Sequence, residues 1–288
     1  MSTQVKDSLV KFIIWACAII TILFLVLLLV YVISRGLPAI NWEFLSTDYK
    51  PGLDLNGIAP IIGGSLLLIG LTLLFAVPIG VFAAIYMAEY AKGGRGLTTI
   101  RFGVESLAGI PSILYGLFGY TFFVTFLGFK MSLLSGALTL SIMILPLIIR
   151  TTEESLRTVP ISYREGSLAL GANKLSTLFK VVLPSAIPGI LAAVILAMGR
   201  VMGESAAVYY TAGTVAQVPA GLGESTRSMA VHLYLLAKEG LSQDEAFATA
   251  TVLVVVIALL NALASFVASA LRKRLTGEPV FRRRKKQV

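Results

Sequence analysis

Six stretches of this chain carry no charged residue and are each long enough to cross a lipid bilayer. They are Phe12–Ile33, Leu55–Ala88, Ser106–Phe129, Met131–Ile149, Val181–Gly199 and Ala246–Leu271, with lengths of 22, 34, 24, 19, 19 and 26 residues. A helix rising 1.5 Å per residue needs about 20 apolar residues to span the hydrocarbon layer. Composition agrees: 57% of the residues are hydrophobic and only 14% are charged, where a soluble domain carries about 25% charge. A soluble enzyme and a disordered chain are excluded. The expectation is an all-α membrane protein with six transmembrane helices at 12–33, 60–88, 106–129, 131–149, 187–212 and 246–271. Leu55–Ala88 exceeds one upright span, so Gly57, Pro60, Gly63 and Gly64 are expected to form an entry turn. Pro78 and Gly80 would then bend the helix near its far end. The first stretch is longer than the ~7–15 residues of a signal-peptide core and no small-residue cleavage site follows it, so it is expected to stay as an anchor.

The distribution of Lys and Arg sets the expected orientation. With the N-terminus inside, 18 of the 24 Lys and Arg residues fall on inner segments, which predicts that both termini are cytoplasmic. Residues 272–288 form a basic tail whose charge accounts for most of the formal net charge of +9. Following a long apolar run, such a tail suits the cytoplasmic flank and anionic lipid. No aromatic residues interleave with the charge, so nucleic acid is not the expected partner. The single Cys (Cys17) and single His (His232) can build no Cys/His metal site. The expectation for them is a membrane-buried thiol and a loop imidazole. Glu89 and Glu105 bracket a basic inner loop and are expected to be solvated or locally paired.

The longest internal inner connection, residues 150–186, has the punctuation of short helices. Thr151 can cap a first one, with Glu153 and Glu154 in its first turn, and Pro160 stops it. Ser162 and Glu165 fit a capping box for a second helix, which Gly171 can close in the left-handed conformation. A third, Lys174–Val182, leads to Leu183 and Pro184. Helices this short are not stable alone, so they pack on the bilayer surface or on a partner.

In the fifth stretch, a helix continuing to residue 212 places Arg200 near the middle of the bilayer and Glu204 one turn further, on the same face. A charge at that depth costs at least ~2.5–3.5 kcal/mol and calls for a polar cavity or a partner. Two readings stand: an intrahelical ion pair that neutralises itself, or a path for an anion. For the second, the planar guanidinium fork matches an oxyanion. Ser205, Tyr209, Tyr210 and Thr211 would add hydroxyls. Gly199 and Gly203 allow another backbone to approach.

These residues carry a family resemblance. Glu165-Gly166-Ser167, Gly171 and Val181-Val182-Leu183-Pro184 resemble the EAA loop of ABC importer permeases, with Gly166 and Ser167 replacing two alanines and Val181 replacing an isoleucine. Ala108-Gly109-Ile110-Pro111-Ser112-Ile113-Leu114-Tyr115-Gly116-Leu117-Phe118-Gly119 resembles a conserved segment of phosphate-specific (Pst) transport permeases. Gly199-Arg200-Val201-Met202-Gly203-Glu204-Ser205-Ala206 resembles another, with Ser205 in place of threonine. Tyr86-Met87-Ala88-Glu89-Tyr90-Ala91 is similar to the end of their second conserved span. The continuation Tyr210-Thr211-Ala212-Gly213 and the short N-terminal region favour the PstA-type branch. The resemblance covers about residues 57–271.

The resemblance implies the six-helix architecture of type I (MetI-like) ABC importer permeases and a role as half of a phosphate pathway. It implies a substrate route through Arg200, Glu204, Ser205, Ser112 and Tyr115. It also implies contact with an ATPase through Glu165, Gly166, Ser167, Gly171, Leu183 and Pro184. The implied partners are a second, PstC-type permease, two ATP-binding subunits that hold ATP and Mg, and an external phosphate-binding protein, all in the plasma (inner) membrane system. No cofactor is expected in this chain, since it has no GxxxxGK[ST] loop. An intramembrane enzyme lacks the residues it would need. A permease for molybdate, sulfate or phosphonate, and an ATP-independent carrier, remain the alternatives.

Overall fold

In hydrocarbon a peptide group finds no solvent partner, so each apolar stretch must satisfy its own backbone as a helix. The computed structural model describes residues 3–50, 55–91 and 93–276, and residues 277–288 of the expected basic tail lie outside the described residues. In chain order, helix α1 (Thr3–Gly36) is followed by the short α2 (Trp42–Ser46) and a two-residue hairpin, β1 (Tyr49–Lys50) and β2 (Leu55–Asn56). The strands are antiparallel, pairing Tyr49 with Asn56 and Lys50 with Leu55. Helix α3 (Ala59–Ile85) runs on through a wider π-helical turn, Tyr86–Tyr90, and is followed by α4 (Arg95–Ala108) and α5 (Ser112–Gly119), the last extended by a π-helical segment, Tyr120–Phe126. Helix α6 (Leu133–Arg157) leads to α7 (Ile161–Ala169) and α8 (Lys174–Thr177), which joins α9 (Leu183–Met202) through a third π turn, Leu178–Val182. The chain ends with α10 (Ala206–Thr211), α11 (Met229–Glu239) and α12 (Gln243–Thr276).

Five helical rods are long and apolar enough to cross a membrane: Asp7–Ala39, Ala59–Tyr90, Leu133–Arg157, Lys174–Met202 and Gln243–Ala270. A sixth candidate is the pair α4–α5, bent by 97°. The boundaries differ from the expected ones in four places. Pro60, Gly63 and Gly64 belong to the first turns of α3 rather than to an entry turn, because Pro at the second helical position has no N–H to lose. The third stretch is not one helix from residue 106: Ser106–Ala108 close α4, and α5 starts after Pro111. The fourth helix does not stop at Ile149 but continues to Arg157, so Thr151 is interior and caps nothing. The fifth segment, 187–212, is interrupted between Met202 and Ala206.

Helix α6 is the centre of the packing. Its Ala137, Leu140, Ile144 and Ile148 are fully buried, and α3, α9, α5, α10 and α4 all lie against it. The Ser141 hydroxyl bridges two helices, donating to the Ala137 carbonyl at 2.6 Å and standing 3.0 Å from the Thr72 carbonyl of α3. Such bonds to backbone oxygens let hydroxyls sit in an apolar interior. Helix α1 is different in kind. Of its side-chain positions that can be described, only Gly36 is buried, where it meets Phe247 and Thr251 of α12.

Candidate functional site

Two interrupted helices meet, and the sequence shows why each breaks. In Gly109-Ile110-Pro111 the proline lacks the N–H a helix needs, and it disfavours helical backbone in the residue before it. Helix α4 therefore ends at Ala108 and α5 begins at Ser112. The Tyr115 hydroxyl ties the two pieces, donating to the Leu107 carbonyl at 2.7 Å from a side chain only 4% exposed. On the other side α9 stops at Met202, with Gly203 as its C-terminal cap. The Glu204 carboxylate then accepts from the Ala207 N–H at 3.2 Å, which starts α10.

Backbone contact joins the two breaks. A Cβ at Gly116 would stand 3.0 Å from the Ala207 Cα and 3.2 Å from the Ala206 carbonyl, so α5 and α10 approach so closely that any larger side chain would press on the facing backbone. Gly119, one turn later, abuts Thr139 and Thr211.

Arg200 occupies the last turn of α9, where a positive charge suits the free carbonyls of a helix end. Its side chain is exposed on this chain and lies within electrostatic reach of Tyr115. The expected placement of Arg200 and Glu204 on one helical face fails, because the helix ends between them. No ion pair among the described residues joins the two, so the self-neutralising pair is not formed. Ser112 and Ser205 are half-buried at the starts of α5 and α10, and Ser205 makes no side-chain capping bond. The structure thus gathers Arg200, Glu204, Ser205, Ser112 and Tyr115 around one double break. It offers a guanidinium that is unpaired among the described residues and two hydroxyls.

The connection between α6 and α9 forms a second cluster. Pro160, not Ser162, stands at the start of α7, and no side chain caps that end. The expected capping box is absent because the helix begins one residue before Ser162. Gly171 has φ +83, the left-handed conformation its position demands. Asn173 caps α8 by accepting from the Ser176 N–H at 2.8 Å. Ser167 and Thr177 pin α7 to α8 through a 2.9 Å hydroxyl pair. Glu165, Gly166 and Gly171 are exposed, and Leu183 and Pro184 are half-buried as the first two residues of α9. Ile161, Tyr163, Leu170, Leu175 and Phe179 are exposed beside them, Leu170 at 91%. Together they make an apolar patch on a polar loop.

Glu89 was expected to be solvated or paired nearby; instead it pairs with Arg164 across 75 residues of sequence, Nη2 to Oε1 at 2.7 Å. Arg164 also donates to the Val159 carbonyl at 2.7 Å and the Leu156 carbonyl at 2.8 Å. Neither Glu89 nor Arg164 stands out in the chain as functional. The signals at Glu89 are a carboxylate closing a 34-residue uncharged run and its place in the Tyr86–Ala91 segment, and neither points to Arg164. Glu153, expected in the first turn of a separate helix, lies within α6 and bridges Arg101 at 2.7 Å and Arg157 at 3.0 Å.

At the other end of the molecule, His232 is fully buried in α11 rather than lying in a loop. Its Nδ1 lies 3.2 Å from Arg227 and its ring packs edge-on to Tyr49 at 4.8 Å. Burial, with the Arg227 charge beside it, lowers its pKa to about 3 from the usual 6.5. The unfolded chain therefore takes up a proton near pH 6.5 that the folded chain refuses, and stability falls as pH drops from about 6.5 toward 3. A two-unit drop corresponds to ~3 kcal/mol at one group. Thermal melts at pH 7 and 4.5 should differ more for the parent than for His232→Gln, and an equal difference would contradict this role.

Five long apolar helices with a sixth, bent pair, an arginine that is unpaired among the described residues where two helices break, and a loop with exposed apolar side chains between two long helices define a membrane permease. The chain belongs to the binding-protein-dependent transport system inner membrane component family, whose profile matches residues 76–277. It is 33% identical to the probable ABC transporter permease protein YqgI of Bacillus subtilis, over 96% of this chain and 99% of that one. It is 35% identical to the phosphate transport system permease protein PstA 1 of Mycobacterium tuberculosis, over 73% of this chain and 70% of that one. Among solved structures, a bacterial alginate ABC transporter chain superposes with a TM-score of 0.65 at 15% identity, covering 96% of this chain and 97% of that one. A chain of the MetNI methionine ABC transporter gives 0.57 at 20% identity, covering 72% and 91%. These two show the type I importer-permease fold, as expected from the sequence.

Proposed function

We propose that this chain is one permease subunit of an ATP-driven importer for inorganic phosphate. It forms half of the pathway and pairs with a second, PstC-type permease. Two ATPase subunits carrying ATP and Mg dock on it and its partner, and an external phosphate-binding protein delivers the anion. The observation that carries this reading is Arg200, exposed and unpaired among the described residues where two helices break. A guanidinium with free donors binds a tetrahedral oxyanion through two parallel bonds. Ser112 and Ser205 line the same junction, with Glu204 and Tyr115 fixing the helix ends around it. The relatives named as phosphate transport permeases support phosphate as the oxyanion.

The α6–α9 loop is the docking surface for the ATPase, presenting Glu165, Gly166, Ser167 and Gly171 with its exposed apolar residues. Leu183 and Pro184 pass its motion into α9, and so toward Arg200. With this loop inside, both chain termini are cytoplasmic and the membrane is the plasma membrane. Reconstitution of the complete complex tests the reading. Uptake of radiolabelled phosphate should require the ATPase and resist competition by molybdate or sulfate. Uptake that persists without the ATPase, or that either competitor abolishes, overturns it.

The turn at Gly171 gives a separate check. A β-branched residue is strained at φ +83 by roughly 1–2 kcal/mol. Gly171→Val should therefore cut phosphate-stimulated ATP hydrolysis several-fold while the permease still inserts. Stimulation equal to the parent's would remove the docking role.

A further inference from the structure

Helix α3 is held at both ends by parts of the chain far away in sequence. At its Tyr90 end, Arg164 of α7 reaches Glu89 at 2.7 Å. The two side chains are 22% and 12% exposed, so the pair is shielded from the water that makes surface ion pairs weak. Lys174 of α8 grips the same turn from across Gly171. Its ammonium donates to the Glu89 carbonyl and lies 4.6 Å from the centre of the Tyr90 ring. The turn being gripped, Tyr86–Tyr90, is π-helical, a wound-out geometry found mostly where helices serve a function.

At the opposite end, the Ser65 hydroxyl accepts from the Met229 N–H at 2.8 Å, the first residue of α11. Gly64 lies directly against Thr226 of the segment that precedes it. Between Ser65 and Glu89 the helix spans about 36 Å at 1.5 Å per residue. One continuous helical span therefore connects the α6–α9 loop to the segment that closes over the far end of α10. That segment is itself bonded to α10, through Thr226 N–H to the Ala212 carbonyl at 3.0 Å and Ser225 Oγ to the same oxygen at 2.9 Å.

We propose that the Glu89–Arg164 pair is a force-bearing link that makes α3 follow the α6–α9 loop, carrying its displacement to the 213–228 segment at the opposite end. The inference rests on the coupling role assigned above to that loop. The loop is joined covalently to α6 and α9, and it meets α3 through the buried apolar cluster of Ile85, Leu156, Val159, Leu178 and Val182, to which the Glu89–Arg164 pair adds a directional bond. Arg164 joins the third helix. Its planar fork donates at once to the Leu156 carbonyl of α6, the Val159 carbonyl in the turn that follows and the Glu89 carboxylate, a fixed geometry that the single ammonium of lysine does not offer. Arg164 and Glu89 are positioning residues, since neither lies at the Arg200 junction.

The test uses the complete transporter in lipid nanodiscs, with Cys17→Ser and spin labels at Gly70→Cys and Leu259→Cys. Space around Gly70 is open, and Leu259 of α12 is 64% exposed. The distance between the labels is read with and without ATP and vanadate, which requires no phosphate transport. The parent should show an ATP-dependent shift. Glu89→Ala should lose more than half of that shift while retaining ATP hydrolysis, and uptake per ATP should fall at least fivefold. Arg164→Lys keeps the charge but loses the fork and should retain a part of the shift, between the parent and Glu89→Ala. If Glu89→Ala does not assemble, Glu89→Gln, which keeps an acceptor but no charge, should give an intermediate loss. A parental shift in the Glu89 variant, or no shift in the parent, overturns the link. Failure of the parent to take up phosphate would instead count against the substrate reading and leave the label distances to decide.

Discussion

Replacing Arg200 with glutamine lowers ATP-driven phosphate uptake by roughly 10–150-fold and leaves the complex assembled. The size follows from the bonds at stake. A hydrogen bond to a charged group contributes about 1.5–3 kcal/mol, and each 1.4 kcal/mol is a factor of ten. Assembly survives because Arg200 is exposed and takes part in none of the described ion pairs, so its loss strands no buried partner. Arg200→Lys should fall between, keeping the charge and losing the planar fork. Uptake by Arg200→Gln within twofold of the parent, in complexes of equal yield, would remove the arginine from the pathway.

Gly116→Val acts on architecture instead. The first added carbon lands 3.0 Å from the Ala207 backbone, and a backbone cannot swing aside as a side chain does. Overpacking of this kind costs ~1–3 kcal/mol, which for a chain of this size corresponds to a melting temperature lower by about 3–10 °C. Because α5 and α10 flank the double break, uptake should fall together with stability. Gly116→Ala should show the same direction at a fraction of the size. A valine variant that melts with the parent would mean that the two helices are not held in contact.

Much of the architecture was legible because lipid imposes one rule, that peptide groups must bond internally, and uncharged runs report where that rule operates. The same criterion is blind to backbone continuity. Ser106–Phe129 and the 187–212 segment each contain a helix break that hydropathy does not register, although Pro111 and Gly203 mark both. Charges at Arg150 and Glu153 mark the edge of an apolar run, and helix α6 simply continues past them to Arg157. The residues of the double break were named from the sequence, but their relation was misread: Arg200 and Glu204 serve two different helix ends. Glu89 with Arg164 was illegible, since nothing local announces a partner 75 residues away. His232 hid for a similar reason, because the ring packed edge-on to it, Tyr49, comes from a distant part of the chain.

The first helix touches α12 through its last two turns, with Tyr31, Val32 and Gly36 against Phe247 and Thr251, and its earlier part faces outward, with Phe12, Trp15 and Phe24 each more than two-thirds exposed. Its tilt is therefore dictated by its surroundings and hardly at all by its own polypeptide. A chain shortened by its outward-facing part would keep its interior whole. Whatever that rod is for, it must be found in company.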